Sequence, residues 1–104
     1  MDARVSLVTL VVRDLAATRA FYVDGLGWQP ELEAPGEVLM FRVTDKLLLS
    51  LWSRTHGEAE LGPVEYPSAG SAPLTLAHNL ATRADVDAVL ADARRAGSPL
   101  VHDA

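Results

Sequence analysis

The 104-residue sequence predicts an α+β fold built on a strand–helix–three-strand module, βαβββ, that begins a second time before the chain ends. Three observations carry this reading. A β-branched run at 5–12 leads directly into an amphipathic helical pattern. Two apolar runs at 37–43 and 46–52 flank a short polar turn, the mark of an antiparallel hairpin. The stretch TLVVRDLAATRAFY from Thr9 is echoed by TLAHNLATRADVDAVL from Thr75, with a small insertion at the second helix start. The expected organisation is a single domain over 1–104, with module one near 5–54, a linker at 55–73 and a partial module two at 74–104. A full second copy would run past Ala104, so module two is expected to be truncated, lacking most of its last three strands.

Val5 to Val12 (VSLVTLVV) reads as a largely buried strand, since β-branched side chains suit the pleated backbone. Asp14 is placed to cap a helix from Leu15, its carboxylate accepting free N–H groups of the first turn. Leu15, Thr18, Phe21, Tyr22 and Leu26 share one face of that helix, and Gly25 and Gly27 close it. Trp28 to Leu32, interrupted by Pro30, reads as an edge strand, where a missing N–H is tolerated. Glu33-Ala34-Pro35-Gly36 is a turn signal, because Pro presets one turn dihedral and Gly tolerates the next. The hairpin strands then follow around Thr44-Asp45.

Ser53 to Pro73, with three glycines and three prolines, reads as a connection of lid or linker length. A strand is expected over Leu74–Ala81, then a helix started by the capping pair Thr82-x-x-Asp85. Val86, Val89, Leu90 and Ala93 form its apolar stripe, and Gly97 with Pro99 stops it. Leu100-Val101 is placed to begin one more strand.

Composition narrows the function. There are 9 Lys+Arg against 14 Asp+Glu, a formal net charge of −5, and no cysteine. A disulfide scaffold and a thiolate metal site are excluded for want of sulfur. A basic nucleic-acid surface does not fit an acidic chain with a single lysine, Lys46. No apolar stretch approaches the ~20 residues of a membrane-spanning helix. The N-terminal residues, with Asp2 and Arg4, have no signal-peptide pattern, and a cytoplasmic location is expected.

The stretch VSLVTLVVRDLAATRAFYVDGLGW resembles the opening strand and helix of the glyoxalase/bleomycin resistance/dioxygenase group, the vicinal oxygen chelate superfamily. TLAHNLATRADVDAVLADARRAGSPLV resembles the start of that family's second module. The resemblance implies paired βαβββ modules whose curved sheets form a cup around a ligand, and a dimeric assembly. It also implies four positions that hold a divalent metal in the family's enzymes through His, Gln or Glu. Three fall here on Leu7, Ser50 and Thr75, and the fourth would lie beyond Ala104. Leu offers no donor and neutral hydroxyls bind such metals poorly, so the resemblance supports the fold and argues against metal chemistry. No cofactor is therefore expected, and a divalent transition metal is the alternative.

Three histidines bear on that alternative. His56, Glu58 and Glu60 form an H-x-E-x-E string expected on a mobile, solvated connection that would hold ligands loosely. By strand alternation, His78 is expected on the opposite face from Thr75 and Asn79, packed against a helix. His102 lies near the terminus, where fraying is the default. No Ser–His–carboxylate grouping and no phosphate-cradling Gly loop is present.

Alternation places Leu7, Thr9 and Val11 on one face, together with Leu48, Ser50 and Trp52, and with Thr75, Ala77 and Asn79. If these faces line the cup, the candidate ligand-binding residues are Leu7, Thr9, Ser50, Trp52, Thr75 and Asn79. Trp52 is suited either to stack on a planar or cationic ligand or to fill the cup or a dimer contact. Val8, Leu10 and Val12 with Leu47, Leu49 and Leu51 are expected to form the core beneath the helices, with Tyr22 and Trp28 as core or interface residues. The expected function is metal-free binding of a small molecule, of the antibiotic-sequestering kind, in a homodimer whose strands pair or exchange between subunits. The alternatives are a metal-dependent lyase or dioxygenase, and a truncated chain without activity of its own.

Overall fold

The computed structural model describes residues 1–66 and 74–98. Within them lies one four-stranded sheet, of order β1-β4-β3-β2, with β1 at Leu7–Val12, β2 at Leu32–Ala34, β3 at Val38–Thr44 and β4 at Leu47–Ser53. β1 runs parallel to β4, and the β4–β3–β2 pairs are antiparallel. This is the βαβββ connectivity expected for module one. Helices α1 (Leu15–Arg19), α2 (Arg54–Leu61) and α3 (Arg83–Arg95) complete the described elements, together with a π-helical continuation of α1 at Ala20–Gly25.

The caps form as the sequence dictates. The Asp14 carboxylate accepts from Ala17 N at 3.0 Å, and Thr82 Oγ1 accepts from Asp85 N at 3.1 Å. Ala34-Pro35-Gly36-Glu37 closes a turn one residue later than expected, with Glu37 N donating to Ala34 O at 2.9 Å. Gly36 sits at φ +78°, the left-handed conformation that a Pro-Gly turn of this kind needs at its third residue. The edge strand expected at Trp28–Leu32 is found instead at Leu32–Ala34. Trp28 belongs to the core, and Pro30 has no N–H for the ladder, so pairing starts only where Glu31 N donates to Met40 O.

The core lies on one side of the sheet. Leu39, Phe41, Leu49 and Leu51 are buried there, with Leu10, Val12, Leu15, Tyr22, Val23 and Trp28 packed against them. This is the face expected to carry the core. Tyr22, Trp28 and Phe41 meet at centroid separations of 4.9 to 5.6 Å, in tilted and edge-on geometries that suit ring quadrupoles. Val23 replaces Leu26 in this contact set because the helix widens. Leu26 N donates to Phe21 O, an i→i+5 bond, and a wider turn carries the following residues around the axis more slowly.

Three expectations change. Ser53–Pro73 does not start as a loose connection: 54–61 is α2, capped by Ser53 Oγ accepting from His56 N at 3.1 Å. Gly57 misleads the reading, since glycine ordinarily weakens a helix. Here a Cβ on Gly57 would meet Val11 Cγ1 at 2.6 Å, so only glycine lets α2 lie this close to β1. Leu74–Ala81 is not a strand: 74–80 has no regular structure and is largely exposed. Among the described residues no strand runs beside it, and an unpaired ladder leaves its backbone groups to water. Finally, the α3 stripe is only half covered, with Val86, Leu90 and Ala93 partly exposed and Val89 exposed. Past its C-terminal end, Ala96 packs against Gly25, where a Cβ would lie 2.5 Å away. Leu100-Val101, Pro99 and His102 fall outside the described residues, as does the 67–73 part of the connection.

Candidate functional site

The sheet face opposite the core carries three cross-strand rows. Leu7 pairs with Leu48 and Leu48 with Arg42; Thr9 pairs with Ser50 and Ser50 with Met40; Val11 pairs with Trp52 and Trp52 with Val38. The period of two and the parallel register of β1 on β4 put Leu7, Thr9, Ser50 and Trp52 on this one face. Four of the six sequence-expected residues are thereby brought together.

α2 folds over one end of this face. Gly57 meets Val11, and the His56 ring stands edge-on to Trp52 at 4.9 Å between centroids. The other end stays more open, with Leu7 44% exposed and Leu48 and Thr9 partly exposed. Ser50 is fully buried between them, and its Oγ has no hydrogen-bond partner; Trp52 Nε1 is likewise buried and unpartnered. Two polar groups on alternate residues of one strand thus face the same side unsatisfied. Each such group costs about 1–3 kcal/mol of desolvation that no bond offsets. At the rim, Arg42 Nη2 donates to Glu31 Oε1 at 2.8 Å. That bond and the Arg42 charge hold the Glu31 carboxyl below the usual carboxylate range.

Thr75 and Asn79 lie outside the paired strands, on the irregular segment 74–80. Asn79 lines a cavity of about 370 Å³ with Leu76, Ala77 and His78 and with Val8, Tyr22, Trp28, Leu48 and Leu49. Since 74–80 is not a strand, alternation does not separate His78 from Asn79. Thr75 is exposed. Burial pushes the Tyr22 hydroxyl up from its ordinary pKa.

The H-x-E-x-E string lies on α2 and not on a solvated loop, so His56 and Glu60 share a helical face while Glu58 turns away to Arg54. Among the described residues no three His, Asp or Glu side chains converge on a point that would hold a metal. The positions that the family's enzymes use are a leucine, a buried serine and an exposed threonine here. That donor set does not fit a divalent transition metal.

Sequence reasoning missed α2 and the cluster at its start, where Arg13, Arg54 and Tyr66 meet. The available signals were Ser53 before a helical stretch, the Arg54–Glu58 spacing and the Gly62-Pro63 stop.

The profile of the Glyoxalase/Bleomycin resistance protein/Dioxygenase superfamily matches residues 4–103. A glyoxalase-related enzyme from Fulvimarina pelagi superposes with a TM-score of 0.75 at 27% identity, over 91% of this chain and 66% of that one. A glyoxalase/bleomycin resistance protein/dioxygenase from Nocardioides gives 0.71 at 24%, over 93% of this chain and 64% of that one. A hypothetical protein from S. aureus gives 0.70 at 18%, over 93% and 71%. The chain thus spans just under two thirds of the first two structures. No curated protein sequence matches it.

Proposed function

We propose that this chain, which belongs to the glyoxalase/bleomycin resistance protein/dioxygenase superfamily, is a metal-free small-molecule-binding protein of the sequestering kind. The observation that carries the reading is the pair of buried, unpartnered polar groups on the open sheet face, Ser50 Oγ and Trp52 Nε1. A binding face keeps such groups at a cost in stability because a ligand's polar atoms satisfy them. Leu7, Leu48 and Met40 supply apolar contact around them, and the ligand enters from the Leu7 end, which α2 leaves open. The indole donates one hydrogen bond and offers a face for stacking; the serine hydroxyl both donates and accepts. Capture then needs no bond making. The formal charge of −5 favours a cationic ligand by long-range attraction.

The outer edge of β1 has no strand partner among the described residues, and Leu7 on that strand exposes apolar surface. Both support a homodimer in which strands pair or exchange between subunits, since an open edge beside apolar surface favours association. A cytoplasmic setting belongs to the same proposal.

A metal-dependent lyase or dioxygenase is the second reading, favoured by the 27% identical structure described as a glyoxalase-related enzyme. It requires donors that Leu7, Ser50 and Thr75 do not supply. The third reading, a chain without activity of its own, expects no ligand at all.

Metal analysis of the purified protein and a thermal-shift screen of planar and cationic small molecules separate the three. The proposal expects no stoichiometric transition metal, none retained after addition, and a ligand-induced rise in Tm that Trp52→Phe and Ser50→Ala abolish. A stoichiometric metal would move the enzyme reading to first place. No ligand and no metal would leave the third.

A further inference from the structure

We propose a second binding site, for a small carboxylate or phosphate, where β1 and β4 end. β1 and β4 are parallel neighbours with Val12 paired to Ser53, so Arg13 and Arg54 leave the sheet side by side. Both guanidiniums lie over the ring of Tyr66, Arg13 Cζ at 4.9 Å and Arg54 Cζ at 5.4 Å from its centroid. With Val64 and Glu65, the three side chains line a cavity of about 520 Å³. The Tyr66 hydroxyl is buried there without a hydrogen-bond partner.

Arg54 stands in the first turn of α2, where the helix's positive end disfavours a cation. Glu58 offsets part of this, accepting from Arg54 Nε at 2.5 Å, and the Val64 carbonyl accepts from Nη2 at 3.5 Å. A guanidinium carries five N–H groups, more than these two bonds use. Glu65, which also lines the cavity, supplies a carboxylate on the far side of the charge balance.

An oxyanion suits the spare Arg54 N–H groups and the unpartnered Tyr66 hydroxyl. Planar guanidinium forks match carboxylate and phosphate oxygens, and the Tyr66 hydroxyl donates to the same anion. The stacked ring holds both arginines in place before the ligand arrives, which lowers the ordering cost of binding. The site lies at the strand ends and not on the open sheet face, so it stands or falls independently of the function proposed above.

Calorimetric titration of the full chain with inorganic phosphate and, separately, with acetate tests the site, at fixed ionic strength because such binding is salt-screened. Saturable binding of either anion is expected, weakened about tenfold or more by Arg13→Gln and by Tyr66→Phe, the size of losing one charge-assisted hydrogen bond. Preference for phosphate or for acetate assigns the ligand class. Tyr66→Phe removes only an unpartnered hydroxyl, so it remains informative if Arg13→Gln fails to fold. No saturable binding of either anion overturns the proposal, as does binding that a folded Tyr66→Phe leaves unchanged.

Discussion

Gly57→Ala isolates the close approach of α2 to β1. In a helix interior alanine is favoured over glycine by about 0.8–1.0 kcal/mol, so propensity alone predicts a gain. Gly57 has no positive φ to complicate the comparison. The added Cβ, however, would lie 2.6 and 2.7 Å from the two Val11 γ-carbons and 3.2 Å from its Cβ. A β-branched side chain has little rotamer freedom with which to escape, so α2 must shift off β1. Overpacking of this kind costs about 1–3 kcal/mol, and contacts this short belong at the upper end. The expected net loss is about 1–2 kcal/mol, a fall in Tm of roughly 4–8 °C for each kcal/mol in a domain of this size. Chemical denaturation of the wild type, Gly57→Ala, Val11→Ala and the double variant closes the cycle. With the valine γ-carbons gone, Gly57→Ala should turn stabilising by about 1 kcal/mol, recovering the propensity term. A neutral or stabilising Gly57→Ala in the wild-type background would refute the close packing of α2 on β1. So would additive effects in the double variant.

Three further outcomes are expected. Ser50→Ala should raise unfolding free energy by about 1 kcal/mol, because it removes a fully buried hydroxyl that has no partner; a loss measured by urea unfolding would mean that the hydroxyl is satisfied. Gly36→Ala should cost about 1–2 kcal/mol from backbone strain alone, since φ is +78° and a Cβ there meets no neighbour. An unchanged Tm would count against the Pro35-Gly36 turn. Carboxyl NMR titration should find Glu31 below the usual carboxylate range in the wild type and back within it in Arg42→Ala. Because folding lowers that pKa, the pair adds stability above the unfolded value and loses it as pH falls through the folded one. The pair is exposed, so the contribution is small and shrinks with salt.

Local signals in the sequence marked much of module one. Asp14 and Thr82 announce their helices because a capping side chain bonds a backbone N–H three residues on. Alternation in β1 and β4 separates Leu10, Val12, Leu49 and Leu51, on the core face, from Thr9, Ser50 and Trp52 on the other, since a strand's side-chain period is two whatever it packs against. The family was legible from the opening strand and helix, and with it the connectivity. The candidate site was legible in part, as the four residues that β1 and β4 contribute.

The remainder depended on partners distant in the chain. Gly57 reads as a helix breaker until Val11 is beside it, and only then does the missing side chain become the reason α2 fits. Leu74–Ala81 matches β1 in its first residues, yet a strand exists only where another strand accepts its hydrogen bonds, which no local pattern records. The alternation that assigned Thr75 and Asn79 to the open face does not apply to an irregular segment. The Arg13–Arg54–Tyr66 cluster joins three residues from separate parts of the chain, brought together by the parallel register of β1 on β4 and by the path out of α2. Sequence by itself determined the periodicities, the caps and the residue types at the family's metal positions, because those are properties of neighbours along the chain. Tertiary structure alone decided which backbones approach closely, which strand finds a partner and which polar groups are buried without one, because each of those is a relation between segments that only folding brings into contact.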